Sequence, residues 1–197
     1  MRTSFPAVRR FTVAAATIAM ASLAFSGCTL TSDKASASAS EQRMEINSSA
    51  DATLTRLYET SPQSRELVQS AKGVLVFPSV LSAGFIVGAQ YGKGVLRVNG
   101  VDSGYYSTAG GSVGFQAGAQ SKAVILLFMT DESLAQFRNS NGWTAGADAT
   151  VAVANVGANG SITTNTAQQP IIGFIMNNSG LMAGVSLEGV KISKMNL

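Results

Sequence analysis

The sequence predicts an α+β domain: a curved or partly closed antiparallel β-sheet shell, with N-terminal helices and one short helix near residues 131–138. Three observations lead there. A glycine-notched phrase recurs along the chain, asparagine–glycine turn signals separate apolar runs, and a helical apolar period is confined to residues 41–71.

The phrase is Gly84-Phe85-Ile86-Val87-Gly88-Ala89-Gln90, and it returns as Gly114-Phe115-Gln116-Ala117-Gly118-Ala119-Gln120, identical at five of seven places. Looser copies begin at Gly142 and Gly180. In an extended chain Phe85, Val87 and Ala89 share one face, and the glycines share the other. Such a strand bends sharply or admits a second backbone on its glycine side. As a helix the phrase would be a Gly-x-x-x-Gly packing motif. Gln90, Lys93, Gln116 and Asp148 break the apolar span this needs, and each interior glycine costs a helix about 1 kcal/mol relative to alanine. The strand reading is preferred, with four variations on one curved strand.

Taken in order, residues 1–27 read as an export signal. Arg2, Arg9 and Arg10 precede an uncharged run from Phe11 to Phe25, shorter than the roughly 20 residues that span a bilayer. The run ends in Phe25-Ser26-Gly27-Cys28, which resembles a bacterial lipobox, and Cys28 is the sole cysteine. Cys28 is therefore expected to be the lipidated first residue of the mature chain. An ordinary secretory signal with an incidental cysteine is the plainer alternative. Thr29, rather than aspartate, follows the cysteine, as in lipoproteins sorted to the outer membrane. The expected location is the periplasmic face of that membrane.

Cleavage changes the electrostatics. The chain has 14 basic and 11 acidic residues, and three of the basic ones lie in the signal, so the mature chain is formally neutral. No excess positive charge remains to neutralise a phosphate backbone, and nucleic acid is not an expected partner.

Residues 28–40, rich in serine and alanine, read as a flexible tether. Residues 41–197 read as a single domain. In its first part Met44, Leu54, Leu57 and Tyr58 fall at helical spacings, Ser61-Pro62 interrupts, and Ser64 starts a second short helix. The apolar stripe has two possible places, its own sheet or a membrane surface.

The strands come next. Gly73 to Phe77 is a first strand, expected to stop at Pro78. Gly94 to Val98 leads into Asn99-Gly100, a hairpin signal. Lys122 to Met129 is too apolar to face water on either side. Thr130 or Asp131 caps a helix to about Arg138. Thr144 to Val156, Ile171 to Met176, Gly180 to Leu187 and Val190 to Met195 supply later strands, with turns at Asn159-Gly160, Asn178-Ser179-Gly180 and Glu188-Gly189.

A family resemblance accompanies this pattern. Leu57-Tyr58, Ser61-Pro62, Glu66-Leu67 and the run Ala71-Lys72-Gly73-Val74-Leu75-Val76-Phe77-Pro78 are similar to the SYLF lipid-binding domain. So are Ala83-Gly84-Phe85, Tyr91-Gly92-Lys93-Gly94, Gly104-Tyr105-Tyr106-Ser107, Gly114 to Gly118, Leu127 to Thr130 and Gly142-Trp143. The resemblance covers most of the chain from about Leu54 onward. It implies contact with membrane phospholipid. Eukaryotic members bind phosphoinositides and, in yeast, actin; actin is not expected in a bacterial envelope.

Catalysis has little material. The chain has no histidine, which removes the commonest general base and metal ligand. Cys28 is committed to the anchor, so no thiol nucleophile or zinc–cysteine site remains. Gly110-Gly111-Ser112-Val113-Gly114 has the spacing of a Gly-x-Ser-x-Gly elbow but is better explained by strand curvature than by a nucleophile. Asp131-Glu132 is explained by a helix N-terminus. The chain is not expected to be an enzyme, and no cofactor or metal is called for.

Binding residues are easier to name. Lys72, Lys93, Arg97 and Lys122 flank apolar strands and are candidates for lipid-headgroup phosphate; solvated charge at strand ends is the plainer reading. Of Tyr105 and Tyr106, adjacent in a strand, one is expected in the core. Two functions remain open: a lipid-anchored protein whose domain binds phospholipid in the envelope, or a structural lipoprotein that holds an unknown protein partner near the outer membrane. A groove would favour the first and a flat apolar patch the second.

Overall fold

The computed structural model describes residues 32–154, 162–182 and 184–197. Cys28, the export signal and the Asn159-Gly160 turn lie outside the described residues.

The chain opens with helix α1, Ser32–Thr60, then α2, Ser64–Ser70. The break is where Ser61-Pro62 places it. Ile46, Ala50, Thr53 and Leu57 form the buried stripe of α1, whereas Met44 is 64% exposed. Residues 32–40, expected in the tether, are helical. Alanine is the best helix former, and a helix already nucleated by docking of residues 41–60 extends at little cost.

Two long strands dominate the sheet: β1, Gly73–Val98, and β2, Val101–Phe128, paired antiparallel from end to end. Asn99 and Gly100 turn the chain with φ of 52° and 77°, as a two-residue hairpin with the twist of its strands requires. Pro78 does not end β1. The register shifts between Phe77 and Val80, so the residue that lacks an N–H sits in a bulge where the ladder asks nothing of it. The first two copies of the glycine phrase meet in this ribbon, Gly84 opposite Gly118, beside a second register shift.

After β2 come α3 (Asp131–Asn139), β3 (Trp143–Thr144), β4 (Ala152–Val153), α4 (Thr164–Ala167), β5 (Ile171–Asn177), β6 (Gly180–Leu181) and β7 (Lys191–Met195). Thr130 caps α3, its side-chain oxygen accepting from the Ser133 N–H. Among the described residues seven strands make one sheet. While β1 lines one edge of β2, the other edge carries β7 against Tyr105–Ala109 and β5 against Ala123–Phe128.

Three expectations need correction. The third and fourth copies of the phrase are not long strands: β3 ends at Thr144, where the Asp148 carboxylate accepts from the Thr144 N–H and closes a loop. The extended chain of the fourth copy ends at Leu181. The sheet is also not purely antiparallel, because β4 runs parallel to β5; the connection through α4 is long enough for that crossover. Residues 155 and 156, expected in a strand, lie outside the described residues.

Side chains alternate across the sheet into two buried layers. Leu75, Phe77, Val124, Leu126 and Phe128 pack with Leu134 and Phe137 of α3, Trp143 and Ile192. Val74, Val76, Ala123, Ile125 and Leu127 pack with Ile172, Phe174 and the stripe of α1. The first layer lies on the concave side. A β-carbon on Gly92 would stand 2.7 Å from the Ser79 carbonyl oxygen, and one on Gly94 would stand 2.6 Å from the Phe77 ring. Only glycine lets the ribbon close on itself there. A close approach of the kind expected of the glycine phrase occurs at Gly92 and Gly94, a few residues after its first copy.

Candidate functional site

The four candidate cations are not gathered into one patch. Lys72 precedes β1, 4.0 Å from the carboxylate of Asp131, with both side chains well exposed. Lys93 and Arg97 point to the helix side of the sheet. There the Lys93 ammonium donates to the Gln42 side-chain oxygen at 2.9 Å. Arg97 is spoken for more fully: its guanidinium donates to Asp51 at 2.6 Å, to Asp102 at 3.0 Å and to the Asn47 carbonyl oxygen at 3.5 Å. Burial acts to lower its pKa, but the two carboxylates outweigh this and hold it above its ordinary value.

Lys122 stands apart from these three. It lies opposite Val80 on the concave side, half-buried, with no ion pair or hydrogen bond among the described residues. Desolvation lowers the pKa of its ammonium. It borders a cavity lined by Phe77, Val80, Val124 and Leu126, together with the polar side chains of Gln90 and Thr108. Gln90 and Thr108 are both buried. The cavity measures ≈ 10 Å³, room for about one water and not for an acyl chain.

Aromatic neighbours divide as adjacent strand residues must. Tyr105 faces α1, its hydroxyl within hydrogen-bonding distance of the Asn47 side chain. Tyr106 faces the other way, stacked on Phe137 at 4.9 Å between centroids. Sequence reasoning passed over Arg138 and Lys194, which approach Tyr106 from α3 and β7. The only local signal was a basic residue in the last turn of α3. Their convergence depends on strand pairing across long separations.

Among the described residues no three acidic, histidine or cysteine side chains come together as a metal site. Also among them, no helix is long and apolar enough to cross a membrane.

Residues 109–196 match the Ysc84 family, described as "Las17-binding protein actin regulator". The chain is also similar to SH3 domain-containing YSC84-like protein 1 of Homo sapiens, 30% identical over 129 residues. The Rattus norvegicus protein of the same name is 29% identical over 128 residues. Each alignment covers 62% of this chain but only 37% of the relative. The matched family segment holds most of β2, all of α3 and the later strands. Over residues 109–196 the chain is thus similar to the Ysc84 family, the SYLF domain.

Proposed function

We propose that the chain is an exported lipoprotein, held through Cys28 at the periplasmic face of the outer membrane, and that its SYLF domain touches phospholipid headgroups there. The observation that carries this reading is Lys122. Three of the four candidate cations have protein partners, and Lys122 has none among the described residues. A half-buried cation without a counter-charge is disfavoured unless something outside the chain supplies the anion. A lipid phosphate would do so.

The size of the cavity favours surface contact over carriage of an acyl chain. The reading as a scaffold for a protein partner has less behind it. Exposed large apolar side chains, such as Met44, Leu81, Tyr91 and Val101, are scattered over α1, β1 and β2 and are ordinary for a protein surface. Las17 and actin, named in the family description, are not proposed as partners.

Co-sedimentation with vesicles of phosphatidylcholine, with and without phosphatidylglycerol, tests the reading. Binding should require the anionic lipid, weaken with salt and fall by about fivefold in Lys122→Gln, as one exposed contact of about 1 kcal/mol implies. Lys93→Gln should change it little. Binding that is indifferent to salt and to Lys122 would sink the reading.

A further inference from the structure

The middle of the β1–β2 ribbon carries its apolar side chains on the outside. Alternation along β1 puts Val80, Gln90 and Gly92 on the concave side, where they are buried. Leu81, Ala83, Ala89 and Tyr91 therefore share the other face. All four are exposed, Leu81 by 58% and Tyr91 by 49%. In sequence, Phe85 and Val87 occupy the alternate positions between Ala83 and Ala89. A strand with one face in water normally sends its apolar row inward and its polar row out. Here a glutamine goes in, and a leucine and a tyrosine stay out. Met44 and Val101 are exposed singly, whereas Leu81 and Tyr91 are the two ends of one row.

Charge is missing from the same stretch. No charged residue lies between Lys72 and Lys93, nor between Asp102 and Lys122. Opposite the row on β2 stand Ser121, Gly111 and Ala109, all small and exposed. Among the described residues no third strand covers the ribbon there: β7 pairs with β2 only up to Ala109, and β5 begins at Ala123.

Helix α1 indicates what the row meets. Its contacts on β1 move from Arg97, bound by Asp51 and Asn47, to Lys93, bound by Gln42. Towards its N-terminus the helix thus advances along the row's own face in the direction of Tyr91. Cys28 precedes Ser32, the first residue of α1, by four residues, a reach of at most about 14 Å. A lipid on Cys28 would bring the bilayer to this end of the domain. A protein interface would be expected to surround its apolar centre with a polar rim, and the two charge-free runs offer little of one.

We propose that the row Leu81, Ala83, Ala89 and Tyr91 lies in the interfacial layer of the membrane, with Leu81 and Tyr91 against the first carbons of the acyl chains. The proposal rests on the reading of the chain as a membrane-anchored protein and adds where on the domain the bilayer sits. Tyrosine suits that depth, having an apolar ring and a hydroxyl that reaches water. The ribbon's edges limit the depth, because backbone N–H and C=O groups without a third strand need water or headgroup partners. Lys122 follows Ser121, the partner of Leu81, so a headgroup on its ammonium would belong to lipid beside the row.

The test places a fluorophore on the row. In the full-length chain with Cys28→Ser, which removes the sole cysteine, Leu81→Cys, Tyr91→Cys or Val101→Cys is labelled with the environment-sensitive dye NBD. The leader is common to all, so differences among the sites report the domain. Vesicles of phosphatidylcholine and phosphatidylglycerol are added, with and without lipid bearing a nitroxide near the top of its acyl chain. Labels at positions 81 and 91 should shift to the blue and be quenched by the nitroxide. The label at position 101, where Val101 is 69% exposed beside the hairpin turn, should stay as it is in buffer. Adding Leu81→Asp should remove most of the shift at position 91. Labels at 81 and 91 that remain aqueous on vesicles overturn the proposal; if vesicle binding still falls with Lys122→Gln, the headgroup reading stands without it. Labels that enter the lipid equally in Lys122→Gln uphold the row and tell against the headgroup reading. A blue shift that grows with protein concentration and needs no vesicle assigns the row to a second copy of the chain and overturns the membrane proposal.

Discussion

Arg97 of β1 and Asp51 of α1 meet at 2.6 Å, and with Asp102 and Asn47 they seam the first helix to the sheet. The members are unequal. The Asp51 side chain is 66% exposed and Asp102 only 35%, so the Asp51 contact is the more screened by water. Arg97→Ala also leaves Asp102 partly buried without its cation. It should cost about 1–3 kcal/mol, and Asp51→Ala less than about 1 kcal/mol. Urea unfolding midpoints at low salt compare them; equal shifts would mean that exposure does not rank these contacts.

Lys122 should trade stability for function. Burial lowers its pKa below the ordinary 10.5, so folding disfavours its charged form. That cost is full at pH values below the folded pKa, where folded and unfolded chains both hold the proton. It fades as pH rises through the folded pKa towards 10.5. Lys122→Met should therefore raise the unfolding midpoint at neutral pH, and the gain should shrink in alkali. A gain that does not change with pH would point to packing instead.

The curl of the ribbon should depend on Gly94. Gly94→Ala drives a β-carbon into the Val76 carbonyl and the Phe77 ring and should cost about 1–3 kcal/mol through forced displacement. Gly111→Ala meets nothing within 4 Å and should stay within about 0.5 kcal/mol of the parent. Thermal unfolding of the two variants decides; similar losses would mean that backbone entropy, not close approach, governs these glycines.

Anchoring should rest on one sulfur. Cys28→Ser should abolish labelling with radioactive fatty acid and leave an uncleaved precursor. A variant that still labels and fractionates with membranes as the parent does would exclude lipidation at Cys28.

Features written in neighbouring residues were legible. Asn99-Gly100 marked the hairpin, Thr130 the start of α3, and Ser61-Pro62 the break between the helices. The run from Lys122 to Met129 announced a strand buried on both faces, and residues 123–128 are buried so. Features set by tertiary context were not legible. Pro78 reads locally as a stop, and only the bulge opposite Val124 and Lys122 lets β1 pass through it. The copy at Gly142 reads as a strand, but Asp148 reaches back to the Thr144 amide. In the candidate site the charges were visible and their partners were not. Nothing near Arg97 in sequence reveals Asp51, and Tyr106 lies far along the chain from Lys194.

The alternation of β2 into two buried layers has a consequence for alignment errors. In most sheets a slip of one residue sends apolar side chains into water, and solvent exposure penalises the mistake. Between Ala123 and Phe128 a slip would exchange Val124, Leu126 and Phe128 with Ala123, Ile125 and Leu127, leaving every one of them inside. The penalty for misalignment is then one of volume, a phenylalanine pressed into space shaped for a smaller side chain. That is a shallower safeguard than exposure. The tight turn at Asn99-Gly100 and the bulge at Pro78, spaced along β1, act as the two pins that hold the strands in step.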